Sequence, residues 1–97
     1  MSDDGADSSR PGEARGFEFP TDFPIKVMGR RVEGFAQAVV DVVKVHAPDF
    51  DASTLEMRTS KDGNYLSVTA TIRATSRTQL DDLYRALTSH PLVKIVL

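Results

Sequence analysis

A chain of 97 residues with 14 acidic and 12 basic side chains holds one domain at most, and its formal charge of −2 supplies no basic footprint for phosphate-driven nucleic-acid binding. It has no cysteine, which removes disulfides and thiol chemistry and points to a reducing cytosol. No apolar run is long enough for a membrane span or the core of a signal peptide.

Met1 to Gly16 has no large apolar residue after Met1, so it buries too little surface to offset its ordering entropy. It reads as a disordered acidic tail, with Asp3, Asp4, Asp7 and Glu13 against Arg10 and Arg15, and residues 17–97 read as the folded domain. The domain is electrically balanced, ten acids to ten bases. Phe17, Phe19, Pro20, Phe23 and Pro24 form an aromatic and proline lead-in. Ile25-Lys26-Val27-Met28 then reads as a short strand stopped by Gly29, with Ile25 and Val27 facing the core and Lys26 and Met28 on the open face. From Val32 the period lengthens: Val32, Phe35 or Ala36, Val39, Val43 and His46 recur at three- and four-residue steps, which predicts an amphipathic helix ended by Pro48.

Thr54 to Thr59 predicts a second strand with Leu55 and Met57 inward, and Lys61-Asp62-Gly63-Asn64 carries the residues of a hairpin turn. Tyr65 to Ala74 alternates without a break, Leu66, Val68, Ala70, Ile72 and Ala74 lying on one face. Ser76 with Gln79 fits a capping box, and Leu80, Leu83, Tyr84 and Leu87 supply a second helical stripe ended by His90-Pro91. Leu92 to Leu97 closes the chain as a strand with Val93, Ile95 and Leu97 facing the core, which leaves Leu92 and Val96 as an apolar strip on an outer strand. The order βαββαβ with right-handed crossovers predicts an α+β fold. It is a ferredoxin-like split-βαβ sandwich, a four-stranded antiparallel sheet with two helices on one face and strands one and three central.

Phe23-Pro24-Ile25-Lys26-Val27-Met28-Gly29, the helix ending in His46-Ala47-Pro48, and Ser60-Lys61-Asp62-Gly63-Asn64-Tyr65 followed by Ser67-Val68-Thr69 together resemble the YbeD-like family of small bacterial proteins. The resemblance runs from about Phe19 to Leu97. It implies a fold similar to ACT-type domains, which bind small effectors and regulate enzymes, usually across a dimer interface, and it suggests a link to lipoate metabolism. It carries over no catalytic residue. At the hairpin tip the family pattern has Lys before the Gly, whereas this chain has Asp62 there and Lys61 one place earlier.

Gly29, Arg30 and Arg31 are the candidate ligand site, because amides at a helix N-terminus beside two guanidiniums favour an anion. The plain alternative is a solvated turn. The same stretch superficially resembles the start of acylphosphatases, but Phe35 is followed by Ala36 where that motif has Arg, and Asn64 sits in a turn. His46 and His90 lack neighbours that would complete a metal site, and Asp49 and Asp51 read as turn residues. The open face, with Lys26, Met28, Ser67, Thr69, Thr71 and Arg73 and only Tyr65 as a ring, is no base-stacking platform. The expectation is a non-catalytic, cytosolic regulatory module without metal or cofactor. An anionic effector, a protein partner or a second copy would be bound, and neither a membrane nor nucleic acid; a ligand-free adaptor is the alternative.

Overall fold

The structure, a computed structural model, describes residues 18–97; the expected tail and Phe17 of the lead-in lie outside them. The elements are β1 (Thr21–Arg30), α1 (Phe35–His46), a 3-10 turn (Ala52–Thr54), β2 (Glu56–Thr59), β3 (Tyr65–Ala74), α2 (Arg77–Thr88) and β4 (Ile95–Val96). The strands form one antiparallel sheet in the order β2-β3-β1-β4, which is the expected topology with β1 and β3 in the centre. Ile25 and Val27 of β1 and Val68, Ala70, Ile72 and Ala74 of β3 are buried with Phe35, Val39 and Val43 of α1 and Leu80, Leu83 and Leu87 of α2. One sheet face is covered by the helices and, among the described residues, the other is open.

β1 is longer than the four residues expected: it pairs with β3 from Thr21 opposite Ala74 to Arg30 opposite Tyr65, so Phe23, Pro24 and Gly29 lie within it. A proline near the middle of a sheet is tolerated here for a local reason. The Lys26 N–H donates to the Leu97 carbonyl at 3.2 Å, so the even-numbered residues of β1 turn their backbone groups toward β4. Pro24 has that orientation but lies beyond the β4 residues that pair with Val27 and Met28, so its missing N–H breaks no ladder bond.

The first helix begins at Phe35 rather than Val32. Gly34 stands before it at φ 87°, a left-handed conformation that costs a residue with a side chain more than it costs glycine. Val32 therefore falls outside the helical stripe and is 44% exposed. At the other helix the Ser76 hydroxyl accepts from the Gln79 N–H at 3.0 Å, as expected of a cap. The Gln79 side chain reaches one residue further back, accepting from the Thr75 N–H at 2.7 Å, and donates to the His46 carbonyl at 2.9 Å. The start of α2 is thereby tied to the end of α1.

Two further departures concern facing. The sequence reading turned Val93, Ile95 and Leu97 inward, yet Val96 is the residue opposite buried Val27, while Ile95 and Leu97 are 49% and 64% exposed. The Lys94 N–H donates to the Met28 carbonyl at 2.8 Å while Ile95 is in register with Met28, so two residues face one and the alternation shifts by one place. Leu92 and Val96 pack on the core instead of forming the exposed strip, and Val93 packs there as expected. Met57, expected inward, lies on the helix side opposite Val68 but is 61% exposed at the sheet edge. Phe50, which the pattern did not assign to the core, is buried there, its N–H donating to the Ala47 carbonyl at 2.9 Å.

Candidate functional site

The three residues expected to hold a ligand have separate positions. Gly29 is buried in β1 with the Phe35 ring and the Leu92 carbonyl against its Cα, where an added Cβ would overlap both. It is a packing glycine. Arg31 donates through Nε to the Gly63 carbonyl at 2.7 Å and through its backbone N–H to the Asn64 carbonyl at 2.9 Å, which latches the end of β1 to the β2–β3 hairpin. Arg30 is exposed on the open face, paired with Tyr65. The helix amides lie further on, past Gly34, and the Phe35 N–H donates to the Val32 carbonyl at 3.2 Å. The Asn64 carbonyl serves the Arg31 latch at the exposed tip, away from the position an acylphosphatase would need.

The tip is built by its own polar residues. Asp62 accepts from the Asn64 N–H at 3.0 Å and the Ser60 hydroxyl at 2.7 Å, the Ser60 Oγ accepts from the Tyr65 N–H at 3.0 Å, and Gly63 turns at φ 82°. The Asn64 amide, and next the Ser60 hydroxyl, hold the Asp62 carboxyl below its ordinary value of 3.8. A depressed carboxyl contributes stability that is present above its ordinary value and lost as pH falls through its folded value. An NMR titration of Asp62 should therefore find its midpoint below 3.8, and Ser60→Ala should move that midpoint upward. A midpoint unchanged by Ser60→Ala would contradict the assigned cause.

On the open face the register sets side chains in rows. Arg58, Ser67 and Met28 form one, continued by Ile95, and Glu56, Thr69 and Lys26 form the next, continued by Leu97. Two shallow depressions adjoin there. One of about 310 Å³ is lined by Lys26, Glu56, Met57, Arg58, Ser67 and Thr69. The other, about 220 Å³, reaches Met28, Tyr65 and Leu97 and shares Lys26, Arg58 and Ser67 with the first. Arg73 pairs with Asp22 at 3.1 Å, whereas neither Lys26 nor Arg58 has an ion pair among the described residues. Lys26, Arg30, Arg58 and Arg73 outnumber Asp22 and Glu56 on this face, so a domain that is neutral as a whole is positive on its open sheet and negative elsewhere. Paired cations over two hydroxyls, beside apolar Met28 and Leu97, can hold an anion.

His90 and Asp51 have structural roles. His90 Nδ1 accepts from the Leu92 N–H at 3.1 Å, and Asp51 accepts from the Ser53 N–H and hydroxyl, which lowers its pKa. Among the described residues no group of three His, Cys, Asp or Glu could hold a metal ion, and no helix is long and apolar enough to cross a membrane. Burial raises the Tyr84 phenol above its ordinary value of 10.0, and the hydroxyl donates to the Leu97 carbonyl at 3.3 Å, tying α2 to the last strand. Lys26 was placed on the open face by alternation alone. Arg58 had the same signal, two places from Glu56, but nothing local shows that the two cations meet across β3.

Residues 14–97 match the family described as "Protein of unknown function (DUF493)". A UPF0250 protein of Nitrosomonas europaea is 60% identical over 80 residues, covering 82% of this chain and 92% of that protein. A UPF0250 protein of Bordetella pertussis is 58% identical over 87 residues, covering 90% and 96%. Among solved structures, protein HP0495 from H. pylori aligns with a TM-score of 0.70 at 13% identity, covering 100% of this chain and 94% of that one. The ACT domain from GTP pyrophosphokinase of Chlorobium tepidum aligns at 0.53 and 24% identity, covering 79% and 97%. These two likenesses are of fold.

Proposed function

This chain belongs to the DUF493 family, the YbeD-like group that its motifs resemble, and from that premise we propose that it is a non-catalytic regulatory module of the cytosol whose open sheet face takes an anionic effector. One observation carries the reading: Lys26, Arg58 and Ser67 line both depressions, so the two cations converge on one place from separate strands. The ACT-like fold supports it by analogy. Arg30 lies at the rim of this face, beside Tyr65, which lines the second depression.

Titrating isotope-labelled protein with small carboxylates and phosphates, lipoate among them because the resemblance brings it to the panel, tests the proposal. The expected shifts centre on Lys26, Arg58, Ser67 and Thr69. Charge-assisted hydrogen bonds contribute roughly 1.5–3 kcal/mol each, so Lys26→Ala and Arg58→Ala should each weaken binding by about ten- to 150-fold. The melting temperature should hardly move, because exposed charges contribute little to stability. Shifts centred on Gly34 to Gln37 would return the site to the helix N-terminus. If no anion perturbs the face, the ligand-free adaptor becomes the better reading, which exposed Ile95 and Leu97 favour.

A further inference from the structure

We propose that two copies of this chain pair edge to edge along β2, about a two-fold axis at Met57, so that each copy brings Arg58 to the open-face depression of the other. β2 is an edge strand. The Ser60 N–H donates to the Tyr65 carbonyl at 2.9 Å, and backbone groups alternate sides along a strand, so Glu56 and Arg58 bond β3 while Met57 and Thr59 turn N–H and C=O outward. Among the described residues nothing pairs with that outer edge, the free half of a ladder. The helices pack chiefly on β1, β3 and β4, which leaves the Met57 side chain 61% exposed beside it.

Charge selects both the occupant and the register. In a two-fold antiparallel pair centred on Met57, Glu56 lies opposite the partner's Arg58 and Arg58 opposite the partner's Glu56 on the open face. The two Met57 side chains meet on the helix side. Centring one place either way sets Arg58 against the partner's Arg58 or Glu56 against the partner's Glu56, and like charges directly opposite destabilise a pair. Glu56-Met57-Arg58 is thus complementary to a second copy of itself, which a strand of arbitrary sequence would not be. The depression of about 310 Å³ lies at this edge, lined by Glu56, Met57 and Arg58. Pairing sets the partner's Arg58 against Glu56, the carboxylate that lines this depression with Lys26, so the second copy contributes a side chain to its rim.

Equilibrium sedimentation up to about 1 mM reads the result. The wild-type mass should climb from 10.6 kDa toward twice that value. Met57→Pro removes an N–H that already points outward, so the monomer fold is kept and the dissociation constant of the dimer should rise at least ~ten-fold. Glu56→Arg and Arg58→Glu should each be monomeric alone, and their equimolar mixture should restore the dimer, because each then supplies the charge the other lacks. A wild-type mass of 10.6 kDa throughout, a dimer that survives Met57→Pro, or single reversals that associate as well as wild type would overturn the pairing. Lys26→Ala separates the two proposals: it should weaken anion binding at least about ten-fold and leave the mass curve unchanged, so either can fail without the other.

Discussion

Phe35→Ala is expected to remove about 3–5 kcal/mol of folding stability, the range for deleting a buried aromatic ring and leaving a cavity. Phe35 is fully buried at the first position of α1, where its ring packs against Gly29 and joins the helix layer to β1. A domain of this size has only about 4–12 kcal/mol in total, so the variant should be partly unfolded at 37 °C. Urea unfolding should show a lower midpoint at an unchanged slope. Val32→Ala is the matched control, since Val32 lies three residues earlier but is 44% exposed; its effect should stay within about 0.5 kcal/mol. A loss under about 1 kcal/mol for Phe35→Ala would mean that the ring does not organise the core.

The second large effect is expected at Gly29. A Cβ there would overlap the Phe35 ring and the Leu92 carbonyl, and a backbone carbonyl cannot swing aside as a side chain can. Gly29→Ala should therefore destabilise by about 1–3 kcal/mol or more, as overpacking does, although alanine has the better strand propensity. Phe35→Leu should not rescue it, because shortening the ring relieves one overlap and leaves the other. Full rescue by Phe35→Leu would show that the Leu92 segment yields. That segment leads into β4, so a partial disordering of Leu92 to Leu97 in Gly29→Ala, visible by hydrogen exchange, is the expected route of relaxation.

Much of the proposed site was legible one strand at a time. The alternation of Tyr65 to Ala74 assigns Ser67 and Thr69 to the open face without reference to any other part of the chain, and Ile25 to Met28 does the same for Lys26. What local pattern could not supply was the distance between Lys26 and Arg58, which depends on β3 lying between their strands in one register. Arg30 and Arg31, adjacent in sequence, look like one cationic pair, but Arg30 ends β1 on the open face, while Arg31, just past the strand, is drawn to the Gly63 carbonyl of the hairpin folded against it.

The sequence by itself determined the element order, the central position of the most regular strand, the hairpin at Asp62-Gly63 and the Ser76 cap. Each of these is a preference of a few neighbouring residues for one backbone geometry. Only the tertiary structure decided where β1 and α1 meet, since Gly29 and Gly34 look alike as breakers. The first is held straight in the strand by β3 and the Phe35 ring, and the second turns left-handed to start the helix. The last strand shows the same division: alternation from Leu92 to Leu97 specifies two faces but not which is inward. One extra residue opposite Met28 reverses them, because the core accepts Val96 beside Val27 and leaves Ile95 and Leu97 to the open face.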